Sequence, residues 1–185
     1  SKKICELKLM ILLIYRENDK LQKTIDEDNI CLIKQNSQML NMIFKIRLYD
    51  IAIQIEIIKY LKFKDGKTFI FNMVKNLIKD NSLDLLEMFI KQIVNGDICN
   101  EYEFILLDNV LSNDSDFKVG DICNALSKKN VIRVIEILLK YEKFEYIIDM
   151  LDLVVETNKE VPLYLVDNIN KTANMYTGSF GGFDR

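Results

Sequence analysis

Asp50-Ile51-Ala52-Ile53-Gln54-Ile55-Glu56-Ile57 is the stretch whose reading decides the fold. Taken in twos it alternates as a strand does, and Ile favours sheets. Taken in threes and fours, Ile51, Ile55, Ile58 and Leu61 fall on one side of a helix. No second convincing strand exists to pair with it, and a lone strand leaves its backbone N–H and C=O groups without a ladder. The stretch is therefore read as helix, and the chain as all-α.

Working outward, apolar residues recur at helical spacing on both sides. Phe69, Met73, Val74, Leu77 and Ile78 place a helix over 68–79, and Leu85, Leu86, Phe89, Ile90 and Ile93 another over 82–95, stopped by Gly96. Asn100 with Glu103 three residues later has the spacing of a capping box. The polar run Ser112-Asn113-Asp114-Ser115-Asp116 reads as a loop. A short helix over 120–128 leads into 130–142. A helix over 144–157 then puts Phe144, Ile147, Ile148, Leu151 and Val155 on one face, and Pro162 opens a last helix ending near Tyr176. Upstream, helices are expected over 3–16 and 19–27, with one or two over 29–47 that turn Ile30, Ile33, Leu40, Ile43 and Ile46 inward. Residues 1–176 are read as a single helical domain, followed by a Gly- and Phe-containing tail over 177–185.

An Asn precedes an apolar helical face three times, at Asn36, Asn81 and Asn130, spaced 45 and 49 residues apart. Asn caps helices well, and paired- or triple-helix repeats have periods of roughly 40–47 residues. The pentapeptide Gly96-Asp97-Ile98-Cys99-Asn100 also returns letter for letter as Gly120-Asp121-Ile122-Cys123-Asn124. If these are repeats, each Asn should cap a helix, each Gly should end one, and each Ile-Cys should point inward. Leu86, Phe89, Ile90, Ile135, Leu138 and Leu139 should then be buried. The segment from Asp121 to Lys140 loosely resembles an ankyrin helix pair, but without the Thr-Pro-Leu-His turn motif. The spacing fits armadillo/HEAT-like repeats better. Such repeats imply an α-solenoid with a long binding surface; a compact helical bundle is the alternative.

Composition narrows the chemistry. The 185 residues include 26 Ile, 17 Asn and three Ala, a bias that points to an AT-rich coding genome. There is no His, so neither a Ser-His nor a Cys-His nucleophile pair can form and no His can ligate a metal. With one Pro and six Gly, enforced breaks are few. A net charge of −3 argues against general affinity for nucleic acid. Cys5, Cys31, Cys99 and Cys123 each follow an Ile and make no CxxC pair, the pattern of small buried hydrophobes in a reducing compartment. The apolar run Leu9–Tyr15 is too short for a bilayer, which takes about 20 residues, and reads as a buried first helix. The chain opens on Ser1 rather than Met, as a piece of a longer protein would.

Three clusters invite a functional reading. Gly66-Lys67-Thr68 looks like the end of a phosphate-binding loop, but the position that needs another Gly is Leu61, and Leu61–Asp65 is too bulky for the nest. A turn with Thr68 as helix N-cap is the preferred reading. Lys59, Lys62, Lys64 and Lys67, interleaved with Tyr60, Phe63 and Phe69, form the most basic patch. It could contact RNA by charge and stacking, although a solvated turn suits an acidic chain better. Asp149, Asp152 and Glu156 line one helix face, and Phe180 and Phe183 stand among glycines in the tail. These nine positions are the candidate partner-binding residues.

The sequence as a whole leads to a non-enzymatic scaffold or adaptor with no cofactor and no metal. Its expected partner is another protein, presented as a peptide or a helix. RNA is a weaker candidate and a membrane is not expected. The expected location is intracellular, cytoplasmic or nuclear. The alternatives are a pathogen-encoded helical binder of a host protein and a helical assembly domain of a ribonucleoprotein complex.

Overall fold

A computed structural model describes residues 2–25, 27–36, 38, 39, 42, 50–113, 115 and 117–179. Among them all regular structure is α-helical. The helices are α1 (Lys2–Ile14), α2 (Asn18–Thr24), α3 (Glu27–Gln35), α4 (Ile51–Tyr60), α5 (Phe63–Lys79), α6 (Leu83–Asn95), α7 (Glu101–Ser112), α8 (Val119–Lys140), α9 (Phe144–Glu156) and α10 (Leu163–Ser179). They gather into two compact units, one over residues 1–117 with α1–α7 and one from Lys118 onward with α8–α10.

The ambiguous stretch is a helix, and its surroundings explain its alternation. Asp50 caps α4 by accepting the N–H of Ile53 at 3.2 Å. Ile51, Ile53, Ile55, Ile57 and Ile58 are all buried, as is Gln54. A helix buried around most of its circumference wants Ile at every phase, so the sequence shows no single apolar stripe.

In the first unit α1 packs on α2 and α3, and both of these pack on α4. In turn α4 meets α5 and α6, α5 meets α6 and α7, and α6 meets α7. Among the described helices, most pairs in substantial contact are near neighbours along the chain, the widest gap being that from α2 to α4. The core of this part is Phe69, Ile70, Met73, Val74 and Leu77 from α5, Leu86, Phe89, Ile90 and Ile93 from α6, and the apolar side of α7. In the second unit α8 packs along α9, with Val134, Ile135 and Leu138 against Ile147, Met150 and Val154 as the buried stripes.

Several helix ends depart from the sequence reading. Asn36 accepts the N–H groups of Gln38 and Met39 at 3.1 and 3.2 Å, and Asn130 accepts that of Arg133 at 3.3 Å. Both are caps, and Asn130, at φ −153° and ψ 84°, breaks α8 into the two helices expected there. Asn81 does something else. It adopts φ 55° and ends α5, its N–H bonding Ile78 O at 3.0 Å while Ser82 N–H reaches Leu77 O at 2.9 Å. That is a Schellman stop, which Asn enters more readily than other residues with a side chain, though less so than Gly. The expected box at the start of α7 is absent too: Asn100 is already helical and makes no side-chain cap, and Glu103 turns into the interior.

The same stop recurs at Arg16, Glu142 and Asn158, with φ of 53°, 56° and 51° and the same pair of backbone bonds. At Arg16, Asn81 and Glu142 the next helix starts within two residues, so α1–α2, α5–α6 and α8–α9 are tight hairpins on one three-residue corner. A charged side chain is strained in the left-handed region, where Gly is not. Relief of left-handed strain worth about 1–2 kcal/mol outweighs the extra backbone entropy of Gly, about 0.5–1 kcal/mol, so Glu142→Gly is expected to raise stability by about 0.5–1 kcal/mol, read from the urea midpoint. An unchanged or lower midpoint would mean the Glu142 side chain makes up for its backbone.

The repeated pentapeptide is not a repeat of structure. Its first copy is the irregular link between α6 and α7, with Ile98 half-buried and Cys99 exposed, whereas its second lies inside α8 with Ile122 and Cys123 buried. Gly96 ends α6 as expected. Gly120 instead sits in the first turn of α8.

Candidate functional site

Gly66-Lys67-Thr68 lies inside a helix. Because α5 begins at Phe63, Gly66 falls in its first turns, and Thr68 is no N-cap: its hydroxyl donates to Lys64 O at 3.2 Å. The buried Gly66 faces α7, where a Cβ in its place would come within 2.7 Å of Tyr102 Cζ. The missing side chain serves a close helix approach.

Lys59, Lys62, Lys64 and Lys67 are all exposed around the α4–α5 junction. Lys59 is held by Glu56 at 3.1 Å. Of the aromatics between them, Phe69 is buried in the core, Tyr60 is half-buried, and Phe63 stacks on Tyr102 with ring centroids 5.4 Å apart. A cleft of about 360 Å³ opens here between Ile58–Phe63 and Asp97–Tyr102, and Lys59 is the one lysine of the four that lines it. The basic patch is thus spread around a corner rather than gathered on one strip.

The described cysteines divide by burial. Cys31 and Cys99 are exposed and Cys5 is half-buried, contrary to the expectation that all four point inward. Cys123 is enclosed, and burial pushes its thiol up to about 12. It stays a neutral thiol at physiological pH, so Cys99 is expected to react with a disulfide reagent in the native protein and Cys123 only on unfolding. Rapid native labelling of Cys123 would contradict that. An unfolded chain loses this proton near pH 9 and the folded one only near pH 12, so the contribution of Cys123 falls as pH rises through that window.

The second unit carries a feature the sequence did not disclose. Leu139 of α8, expected in the core, is half-buried and lines a groove of about 370 Å³ whose other walls are Phe144, Ile147, Ile148 and Leu151 from α9 and Ile169, Thr172, Ala173 and Tyr176 from α10. The lining is almost wholly apolar. At one end Tyr164 hydrogen-bonds Glu136, which holds the phenol's pKa above its usual value, and Leu165 is buried. At the other, Tyr176 meets the edge of Phe144 at 5.6 Å. Between these two anchors the described residues of α9 and α10 make no substantial backbone contact.

The apolar face expected on α9 is therefore split. Ile147 is buried with Met150 and Val154, while Ile148 and Val155 are 66% and 75% exposed. Asp149, Asp152 and Glu156 are exposed beside that outer face, joined by Glu145 in the same stripe. Among the described residues no ion pair neutralises them. Phe180 and Phe183 lie outside the described residues.

α1 is also only half-covered. Leu9 and Leu13 are buried, yet Ile4, Leu7, Ile11 and Ile14 form an exposed seam, so the first helix is not the wholly buried one its composition suggested. No described helix is long and apolar enough to cross a membrane. No family profile, no curated protein and no solved structure matches the chain.

Proposed function

We propose that the chain is a non-enzymatic scaffold or adaptor of armadillo/HEAT-like helical repeats, working inside the cell and binding another protein. The observation that carries this reading is the apolar groove of the second unit, whose neighbouring face leaves Ile148 and Val155 in water. A continuous apolar face on a soluble helix is a usual mark of an interaction site. The repeat reading is supported by the corner shared by three hairpins and by packing between near neighbours along the chain, both expected of stacked helical units. Exposed thiols at Cys31 and Cys99 suit a reducing compartment.

The test is affinity purification from the source cell with the wild-type chain and with Ile148→Asp/Val155→Asp, followed by mass spectrometry. Both substitutions fall on exposed positions, so circular dichroism should be unchanged. A protein retained by the first and lost by the second supports the reading, whereas identical lists would remove the groove from it. Calorimetry with ATP and magnesium checks the non-enzymatic part, and saturable heat abolished by Lys67→Ala would revive a nucleotide site.

A further inference from the structure

We infer that the α9–α10 groove receives an amphipathic helix of a partner protein, with its apolar seam flanked by Lys or Arg. The inference rests on the scaffold reading and adds the chemistry of the occupant. The groove walls are helices, whose backbone groups are already bonded within each helix. They offer no edge to which an extended peptide could add as a strand. A helix satisfies its own backbone and can bring only side chains to such a wall. The open face from Phe144 through Ile148 and Leu151 to Val155 is three turns, roughly 16 Å, long enough to seat the successive apolar side chains of a helix.

Charge sets the rest. The stripe Glu145, Asp149, Asp152 and Glu156 runs beside that apolar face, and α9 carries no Lys or Arg. A seam bordered by basic residues would meet these carboxylates at the rim while its apolar side chains enter the groove. A lipid surface is the other common target of an exposed apolar face, but four carboxylates repel anionic headgroups.

The experiment titrates the full chain with two synthetic helices that share one leucine seam, one flanked by Lys and the other by Glu. The Lys-flanked helix should bind, and more weakly as salt is raised from about 0.05 to about 0.5 M. Ile148→Asp should weaken it about a hundredfold. Asp149→Lys/Asp152→Lys should weaken it about tenfold and let the Glu-flanked helix bind instead. Equal binding of both helices, binding of neither, or binding indifferent to Ile148→Asp overturns the inference. So does self-association of the wild type that Ile148→Asp abolishes, since α1 bears such a seam beside Lys3 and Lys8, and the occupant would then be a second copy. If neither helix binds while affinity purification still returns a partner lost on Ile148→Asp/Val155→Asp, the scaffold reading stands and only the occupant is wrong.

Discussion

Phe89→Ala is expected to destabilise the first unit by about 3–5 kcal/mol, from lost burial together with the cavity left behind. Phe89 has no solvent exposure, and its helix α6 packs on α4, α5 and α7. With three neighbours fixed by their own contacts, the space vacated by the ring cannot close by moving one helix alone, and this places the cost toward the upper part of the range. Met88 is the internal control: it is more than half exposed on the same helix, and Met88→Ala should stay within about 0.5 kcal/mol of wild type. Urea denaturation of the three proteins reads both effects. A loss below about 1 kcal/mol for Phe89→Ala would mean that α6 lies at the edge of the unit and that its inner face has been misassigned.

What could be read in the sequence was what local chemistry settles. Asn36 and Asn130 cap helices because a short side-chain oxygen reaches the N–H three residues on, whatever the rest of the fold does. The apolar spacing of α6 and α8 placed Leu86, Phe89, Ile90, Ile135 and Leu138 in the core, where they are. Asn81 was misread because the property that suits Asn to a cap also suits it to the left-handed stop. Arg16 and Glu142 occupy the same conformation and give no sequence signal, since neither residue prefers it. The two copies of Gly-Asp-Ile-Cys-Asn differ because five residues do not fix a conformation; their flanks do.

The groove was hidden for a related reason. Phe144, Ile147, Ile148, Leu151 and Val155 share a broad apolar arc in any helical reading. Periodicity does not say which edge of that arc α8 will cover. Packing on α8 takes Ile147, with Met150 and Val154, and leaves Ile148 and Val155 outside. Only this packing places the exposed acids Asp149, Asp152 and Glu156 beside an apolar edge left in water.

Gly66→Ala is expected to cost about 1–2 kcal/mol, against the usual direction. Inside a helix, Gly→Ala normally gains about 1 kcal/mol, because Gly gives up more backbone freedom on folding. Here the new methyl would lie 2.7 Å from Tyr102 Cζ and 3.0 Å from Cε1, with the hydroxyl oxygen nearer still. Tyr102 is buried, and its ring is stacked on Phe63, so it cannot swing aside without breaking that stack. Overpacking of this kind costs about 1–3 kcal/mol, and because the clash involves a rigid ring between closely packed α5 and α7, it should exceed the gain in helix propensity. The sign should reverse once the ring is gone. In a Tyr102→Ala background the same substitution meets open space and should stabilise by about 0.5–1 kcal/mol. Urea midpoints of the wild type, the two single variants and the double variant form the cycle, with an expected coupling of about 2–3 kcal/mol between the sites. Stabilisation by Gly66→Ala in the wild type would show that the ring yields freely, and the packing account of this glycine would fall with it.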